Sequence, residues 1–323
     1  MNIKLSLGAL CLATCLFASG AEVRLPHSER DDLVLEVPAE WLPSFNSLSS
    51  RMQTVRLQGK DPQGFDATLT LMQPPEDLNT PSDAQLRQFI TLFVKDLHPE
   101  AVEQDLQFER VPALGGGYCA SLASPVLKPN GYKFLTQCLI AVGSAQLSVT
   151  LQSNQAPEHD KTAVLAMLAS SKLEAAQPQW VMGARDGGSV LVLPRGDWKL
   201  EQEKHQANGM GAYYLFSSEL LGVNLSFWVE KSQACSDGEG CLRLALGNPA
   251  YKDRKDQELF EAAGFNATSF YIDASDKMPI DQFNVLAAAY VNGYWLDVHI
   301  SKVGHGHFSP TPVLAVLQKL QIR

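Results

Sequence analysis

The clearest helical pattern in the sequence is a single apolar stripe between residues 82 and 97. Its members recur at the three- and four-residue spacing of one helix face, and they are Leu86, Phe89, Ile90, Phe93, Val94 and Leu97. Thr80 or Ser82 is placed to cap the helix, with Pro81 near its first turn. The stripe therefore predicts a helix that packs on a sheet of its own domain, with partner binding as the alternative.

Alternating apolar and polar residues predict strands, and the strands occur in a pattern that repeats. Residues 134–173 align without gaps on 283–322 at an offset of 149, with nine identities in forty positions. Each copy predicts a strand, a tight turn, a second strand, a loop and a short helix. The turns are at Gly143-Ser144 and Asn292-Gly293, and Asn-Gly between apolar runs is a strong hairpin signal.

The starts of the two copies also match. Residues 33–41 and 190–198 each contain an apolar strand that ends at a proline and is followed by a tryptophan, Trp41 or Trp198. We expect each tryptophan to fill the core at the end of its sheet, with ligand stacking as the alternative. Further strands are predicted near 66–72, 106–111, 118–123, 212–220, 223–231 and 269–274, and a helix near 257–263.

These elements predict two α+β domains in tandem, each an antiparallel sheet packed with helices. The predicted boundaries are residues 22–176 for the first copy and 189–323 for the second. Residues 177–188 carry one proline and three glycines, which is typical of a linker.

The first 21 residues resemble an export signal. Lys4 precedes an apolar run from Leu5 to Phe17, and small residues follow it. The run is shorter than the roughly 20 residues of a membrane-spanning helix, and no later segment reaches that length. A lipoprotein signal ending at Cys15 is the less favoured alternative. We therefore expect a periplasmic or secreted protein with no transmembrane segment after cleavage.

Four cysteines follow this segment, which agrees with an oxidising compartment. Cys119 and Cys138 are on consecutive predicted strands, whereas Cys235 and Cys241 enclose a short loop. The local structure favours disulfides Cys119–Cys138 and Cys235–Cys241 among the three pairings that four cysteines allow. A zinc site is the alternative, but the sequence has no Cys-x-x-Cys spacing.

Composition narrows the range of functions. The chain has 323 residues, 45% of them apolar and 19% charged, and a formal net charge of −9. These values are typical of a globular protein, and the acidity argues against binding nucleic acid or anionic lipid. The motifs of α/β-hydrolases, zinc proteases, phosphate-binding loops and dinucleotide-binding folds do not occur in the sequence.

One polar cluster offers metal-ligand chemistry. Asp297 and His299 are two residues apart on a predicted strand and therefore point to the same face, and His305 and His307 follow in the next loop. If that loop folds back, the four side chains would suit zinc or copper. The favoured interpretation is a solvated strand face followed by a loop, with no cofactor.

Two further segments are candidate partner contacts. The loop 235–241 contains Asp237 and Glu239, which are too few carboxylates for calcium and predict an exposed acidic knob suited to a basic partner. Tyr294 and Trp295 follow the Asn292-Gly293 turn, where aromatic side chains would be partly exposed.

The strand–Pro–Trp pattern supports a resemblance to a family. Val37, Pro38 and Trp41, and again Leu193, Pro194 and Trp198, together with the meander and long hairpin, resemble the PsbP-like superfamily, which includes PsbP and LpqN-type exported proteins. The resemblance implies an antiparallel sheet with packed helices in an accessory or binding protein. Export, tandem domains and acidity also resemble the two-domain periplasmic immunity proteins of type VI secretion.

These observations predict an exported, non-catalytic protein that binds another exported protein, in the manner of an immunity or accessory protein. The first alternative is a periplasmic module that binds a small ligand or lipid. The second is a metal-dependent enzyme that uses the C-terminal histidines.

Overall fold

The computed structural model describes most of the chain after the predicted signal segment. The described residues are 21–323 except 29, 50, 60–63, 74–80, 98–100, 103–104, 113, 125–130, 155–156, 252–253, 276–278 and 307. Residues 1–20 of the expected signal peptide, the candidate cap Thr80 and the candidate ligand His307 lie outside this set.

The described residues form twenty strands and four α-helices. The helices are α1 (Asp83–Leu97), α2 (Pro157–Ser170), α3 (Gly238–Leu246) and α4 (Thr311–Lys319), and Pro249–Tyr251 forms a 3-10 turn. The strands of the first half are β1 (Ala21–Pro26), β2 (Asp31–Val37), β3 (Leu42–Ser49), β4 (Met52–Gln58), β5 (Phe65–Met72), β6 (Phe108–Val111), β7 (Gly117–Ala123), β8 (Phe134–Val142), β9 (Ala145–Ser153) and β10 (Lys172–Ala175).

The strands of the second half are numbered onward in chain order. They are β11 (Gln179–Gly183), β12 (Val190–Pro194), β13 (Trp198–His205), β14 (Gly211–Ser218), β15 (Val223–Lys231), β16 (Lys255–Ala262), β17 (Phe265–Ile272), β18 (Asp281–Val291), β19 (Tyr294–Gly304) and β20 (Gln321–Ile322).

Fourteen of these strands form one continuous antiparallel sheet. Its order is β16-β17-β18-β19-β15-β14-β13-β3-β4-β5-β9-β8-β7-β6. From each edge towards the centre, the corresponding strands of the two halves follow one another in the same order. Two small sheets, β1-β2-β10 and β11-β12-β20, correspond in the same way. The two halves of the chain therefore have the same topology, and β3 pairs with β13 where they meet.

The long hairpins show the same offset of 149 that relates the two sequences. Phe134 pairs with Ser153 in β8–β9, and Phe283 pairs with Lys302 in β18–β19. Both hairpins close with two-residue turns. In the second turn Asn292 and Gly293 have φ of 54° and 85°, a conformation that asparagine and glycine tolerate better than other residues.

The expected fold class, α+β with two separate helix-packed sheets, is wrong. Strands make up 54% of the structure and helices 18%. Five segments account for most of the difference. β3, β4 and β13 extend the sheet through regions where no strand was expected, and residues 257–263, expected to be helical, lie mostly in β16. The expected linker 177–188 contains β11, which pairs with β12.

The large sheet has two faces with different partners. Its inner face packs against the small sheets and against α2 and α4 in a core that runs through both halves, and includes Val149, Leu168, Val298 and Leu317. The opposite face, which we call the outer face, carries α1 in the first half and α3 in the second. Each half therefore presents one helix and a stretch of open sheet on the outer face.

A buried ion pair joins the halves beside the central strands. The carboxylate of Asp32, 1% exposed, accepts hydrogen bonds of 2.8 and 2.7 Å from the two terminal nitrogens of Arg195. The guanidinium of Arg195 also lies 4.5 Å from the ring centre of Trp180. In the part of the chain described, no helix combines the length and apolar character needed to cross a bilayer.

Candidate functional site

Helix α1 has more apolar surface than its sheet covers. It begins with a capping box, in which the backbone N–H of Ser82 donates to Oε1 of Gln85 at 2.8 Å. Leu86, Ile90 and Val94 are buried against the sheet, as the sequence predicts. Phe89 and Phe93, expected in the same buried stripe, are each 51% exposed.

The exposed side of α1 forms one wall of an open cavity of about 590 Å³, which we call groove one. Five large apolar side chains around it remain exposed, namely Leu48, Met52, Phe89, Leu92 and Phe93. The floor is the outer face of β5, β8 and β9. There the Gln137 side chain donates to Ser148 and accepts from Thr150, at 2.9 and 2.7 Å, so these polar groups are already satisfied.

The corresponding helix of the second half, α3, lies in the segment expected to be an acidic loop. Asp237 is its N-cap, because Oδ1 of Asp237 accepts a hydrogen bond of 2.7 Å from the N–H of Gly240. Glu239 pairs with Arg243 at 2.8 Å on the exposed side of the helix. The expected acidic knob is therefore a capped first helical turn in which one of the two carboxylates is neutralised.

Disulfides are present in the pairing that the sequence favours, Cys119 with Cys138 and Cys235 with Cys241. The first links neighbouring strands within the sheet. The second ties the start of α3 to the preceding segment and is buried against Phe270 and Leu286. The helix of the second half is therefore fixed by a covalent bond that α1 does not have.

Between α3, the 3-10 turn and the sheet lies a second open cavity of about 670 Å³, which we call groove two. It occupies the position in the second half that groove one occupies in the first. Tyr213, Trp228, Tyr251 and Trp295 supply its aromatic walls. Asp297 and His299, both on β19, supply its ionisable groups.

Strand register sets the arrangement of these side chains. Trp228 is directly opposite Asp297 across the β15–β19 ladder, and Tyr213 is directly opposite Trp228 across β14–β15. Directly opposed residues of antiparallel strands share a face, so the three side chains form a row across the outer face. The ring centres of Tyr213 and Trp228 are 6.0 Å apart.

The electrostatics of groove two are unusual for a surface site. Oδ1 of Asp297 is inaccessible to solvent and has no hydrogen-bond partner. Burial, with a smaller contribution from the charge of Glu230, raises the pKa of Asp297 to about 6. Burial lowers the pKa of His299 to about 4, and its Nε2 lies 2.8 Å from Oδ1 of Asn284. At neutral pH the described lining of the groove therefore holds a carboxylate and a neutral imidazole but no lysine or arginine.

The structure brings together only part of the predicted metal site. Asp297 and His299 share groove two, but His305 is exposed beyond the far end of β19. Five residue positions separate His299 from Gly304, about 17 Å along the strand. Among the described residues there is no group of three or more potential metal-binding side chains. Zinc or copper binding stays a prediction, and His307 lies outside the described residues.

Tyr294 and Trp295 have different environments, although both were expected to contact a partner. Tyr294 is 4% exposed and donates a hydrogen bond to Asp186. Its ring lies so close to Gly188 that it fills the space a side chain at that position would need. It is a core residue, so the expectation of a partner contact is wrong for it. Trp295 lines groove two, and its buried Nε1 has no hydrogen-bond partner.

Comparisons with known proteins give little further identification. No protein-family model matches the chain, and no curated protein matches it. The resemblance to PsbP-like proteins therefore has no support beyond the residues that suggested it.

Similar solved structures include two of the immunity protein TplEi of the type VI secretion system from Pseudomonas aeruginosa. The complex with "L" peptide covers 87% of this chain and 98% of that chain, at 8% identity and a TM-score of 0.34. The apo structure covers 88% and 97%, at 8% identity and a TM-score of 0.35. Scores this low do not establish a common fold.

Proposed function

We propose that the protein is an exported, non-catalytic binding protein that holds another protein on the outer face of its sheet. The observation that carries this proposal is the set of five exposed apolar side chains around groove one. Single exposed apolar residues are ordinary on a protein surface, whereas a contiguous group around a concavity is typical of an interaction site.

The chemistry of groove one favours an apolar occupant. Fully burying a leucine, methionine or phenylalanine side chain stabilises by about 1.5–3 kcal/mol, so covering a half-exposed one contributes about 1 kcal/mol. The polar groups of Gln137, Ser148 and Thr150 on the floor are bonded to each other. A partner that seats an apolar segment between α1 and Leu48 therefore removes apolar surface from water without leaving the floor unsatisfied.

Charge and disulfides define the kind of partner further. The chain has a net charge of −9, so a basic partner is attracted to it over a longer range than an acidic one. The two disulfides of the described residues are typical of exported proteins. Together with the duplicated sequence pattern, these features support an immunity-like role, in which the bound protein is a secreted effector.

Groove one is tested by weakening its apolar wall. The double variant Phe89→Ser/Phe93→Ser is compared with wild type and with Leu220→Ser/Leu259→Ser, which changes two exposed apolar residues outside both grooves. Each protein is used to capture exported proteins from the source organism, and the captured protein is purified and titrated against all three by calorimetry. We expect about tenfold or greater loss of affinity for the Phe89/Phe93 variant alone.

Two results would contradict the proposal. One is equal affinity of the captured protein for the Phe89/Phe93 variant and for wild type. The other is a lipid or other small molecule that copurifies in place of a protein and is lost from the Phe89/Phe93 variant, which would identify groove one as a small-ligand site.

A further inference from the structure

We propose that groove two is a binding site for an alkylammonium group, the chemistry of a lysine side chain. Groove one takes apolar surface, so the two grooves would recognise different features. If the ammonium belongs to the protein held on the outer face, this inference deepens the proposed function and rests on it. If it belongs to a free amine, groove two stands alone.

The first argument is the unpaired carboxylate. None of the ion pairs among the described residues involves Asp297, and its Oδ1 is buried without a hydrogen-bond partner. The charge of Glu230 contributes to the raised pKa of Asp297, and Glu230 adds negative charge on the same face of the sheet. A buried charge without a partner is unfavourable, so an incoming cation would remove an existing cost.

The second argument is the aromatic lining around that carboxylate. Trp228 lies opposite Asp297, Trp295 is two residues along the same strand, and Tyr251 covers the groove from the 3-10 turn. The negative faces of tryptophan and tyrosine rings attract ammonium groups, and their apolar surface also suits the methylene chain that carries the ammonium. An acid within an aromatic enclosure thus matches both parts of a lysine side chain.

The third argument excludes the other occupants that these residues suggest. A cavity of about 670 Å³ is far larger than a metal ion needs, and Asp297 and His299 alone provide fewer ligands than a zinc or copper site. An anion would face Asp297 and Glu230, and the described residues that line the groove include no lysine or arginine to bind it. The neutral imidazole of His299 lies against Asn284 and Tyr251 and adds no charge.

Position on the fold links this site to groove one. Both grooves open on the outer face, and five strand spacings separate β15 from β5. This corresponds to about 24 Å along the sheet. One protein surface of ordinary size spans that distance, so a partner with an apolar segment in groove one is in reach of groove two with a lysine.

The probe for the test is N-acetyl-lysine methylamide, and the matched compound without the ammonium is N-acetyl-norleucine methylamide. Both are titrated into the full chain, and binding is followed by tryptophan fluorescence, because Trp228 and Trp295 line the groove. The variants are Asp297→Asn, which keeps the shape and removes the charge, and the control Ser148→Asn at the corresponding position of groove one. A second variant, Trp228→Phe, tests the aromatic wall if Asp297→Asn alters the fold.

We expect the lysine probe to bind wild type and Ser148→Asn equally and the norleucine probe at least about tenfold more weakly. Asp297→Asn should lose about tenfold in affinity for the lysine probe, and Trp228→Phe should lose a smaller factor. Equal binding of the two probes, or unchanged binding by Asp297→Asn with an intact circular dichroism spectrum, would overturn the proposal. So would zinc ions that bind wild type through Asp297 while the lysine probe does not bind.

The source of the ammonium is settled by the captured protein. If Asp297→Asn weakens both the lysine probe and that protein, the ammonium is a lysine of the partner. If it weakens the probe alone, the ligand is a free amine. The Phe89→Ser/Phe93→Ser variant keeps probe binding in either case, so a failure of groove one is distinguishable from a failure of groove two.

Discussion

The two grooves occupy corresponding places on one sheet, yet their chemistry differs almost completely. Where the second half has Asp297 opposite Trp228, the first has Ser148 opposite Thr70. His299 corresponds to Thr150 in the same way. The inner-face residues between them, such as Val149 and Val298, remain apolar and buried in both halves. The two halves thus share an apolar inner side, whereas the chemistry of their outer sides differs.

The helices beside the grooves differ as well. α1 has fifteen residues and leaves an apolar edge in solvent, whereas α3 has nine and is held by a disulfide. A short helix has little stability of its own, so the covalent bond and the burial of Leu242 compensate for its length. α1 therefore leaves apolar surface open beside groove one, whereas α3 forms a covalently fixed wall of groove two.

The largest expected effect separates the buried and exposed sides of α1. Ile90 is 1% exposed, so Ile90→Ala should lower the free energy of unfolding by about 3 kcal/mol through lost burial and a cavity. Phe89→Ala, one residue away and 51% exposed, should change it by less than about 1 kcal/mol. Urea unfolding measures both, and a large loss for Phe89→Ala would mean that groove one is part of the folded core.

The disulfides should differ in what their removal affects. By loop-closure entropy, Cys119→Ala/Cys138→Ala should cost about 3 kcal/mol and Cys235→Ala/Cys241→Ala about 2 kcal/mol. Only the second pair lies beside groove two, so only its removal should weaken binding of the lysine probe. Chemical unfolding and probe titration of the two variants test this, and equal effects on the probe would break the distinction between the helices.

The smallest expected effect is a pH dependence of stability that arises in groove two. The raised pKa of Asp297 stabilises the fold below about pH 4, and that stability is lost as pH rises to about 6. The lowered pKa of His299 stabilises the fold above about pH 6.5, and that stability is lost as pH falls to about 4. In wild type the two contributions oppose each other. Among the described residues, Glu230, Tyr213 and Tyr251 are the other titratable groups that face them.

Removing one of the two groups should therefore reveal the pH dependence that the other gives to the stability. Between pH 4 and 6, Asp297→Asn should gain stability as pH rises and His299→Gln should lose it, each by up to about 1.4 kcal/mol per pH unit. Ser148→Asn in groove one should follow wild type. Urea unfolding across this range is the measurement, and parallel curves for the two groove-two variants would contradict the assigned environments.

The sequence predicted the elements whose signals are local. The stripe of α1 and the Asn292-Gly293 hairpin were found because helix period and turn chemistry are written in consecutive residues. The sequence predicted a helix near residues 257–263, where Glu258, Leu259 and Glu261 have helix-favouring side chains. Pairing of this segment with β17 overrides that preference. The sequence signal for a hairpin here is Gly264, which forms the turn between β16 and β17 together with Ala263.

α3 was missed for the opposite reason. Gly238 and Gly240 disfavour a helix, and the packing of Cys241 and Leu242 on Phe270 depends on residues distant in sequence. Groove two shows the same limit. Asp297 and His299 were placed on one face from spacing alone, but Trp228 is far away in the chain and reaches them only through the β15–β19 register.

The short ladder between β3 and β13 has a consequence for selectivity. Its three residue pairs make the sheet continuous, so the distance between the two grooves is set by backbone hydrogen bonds and not by a flexible tether. If the proposed functions of both grooves hold, a partner anchored in one groove would present its second feature to the other at an effective concentration on the order of millimolar. Two individually weak contacts would then give avidity for proteins whose apolar segment and lysine match that spacing. A protein with only one of these features would gain nothing from the second groove.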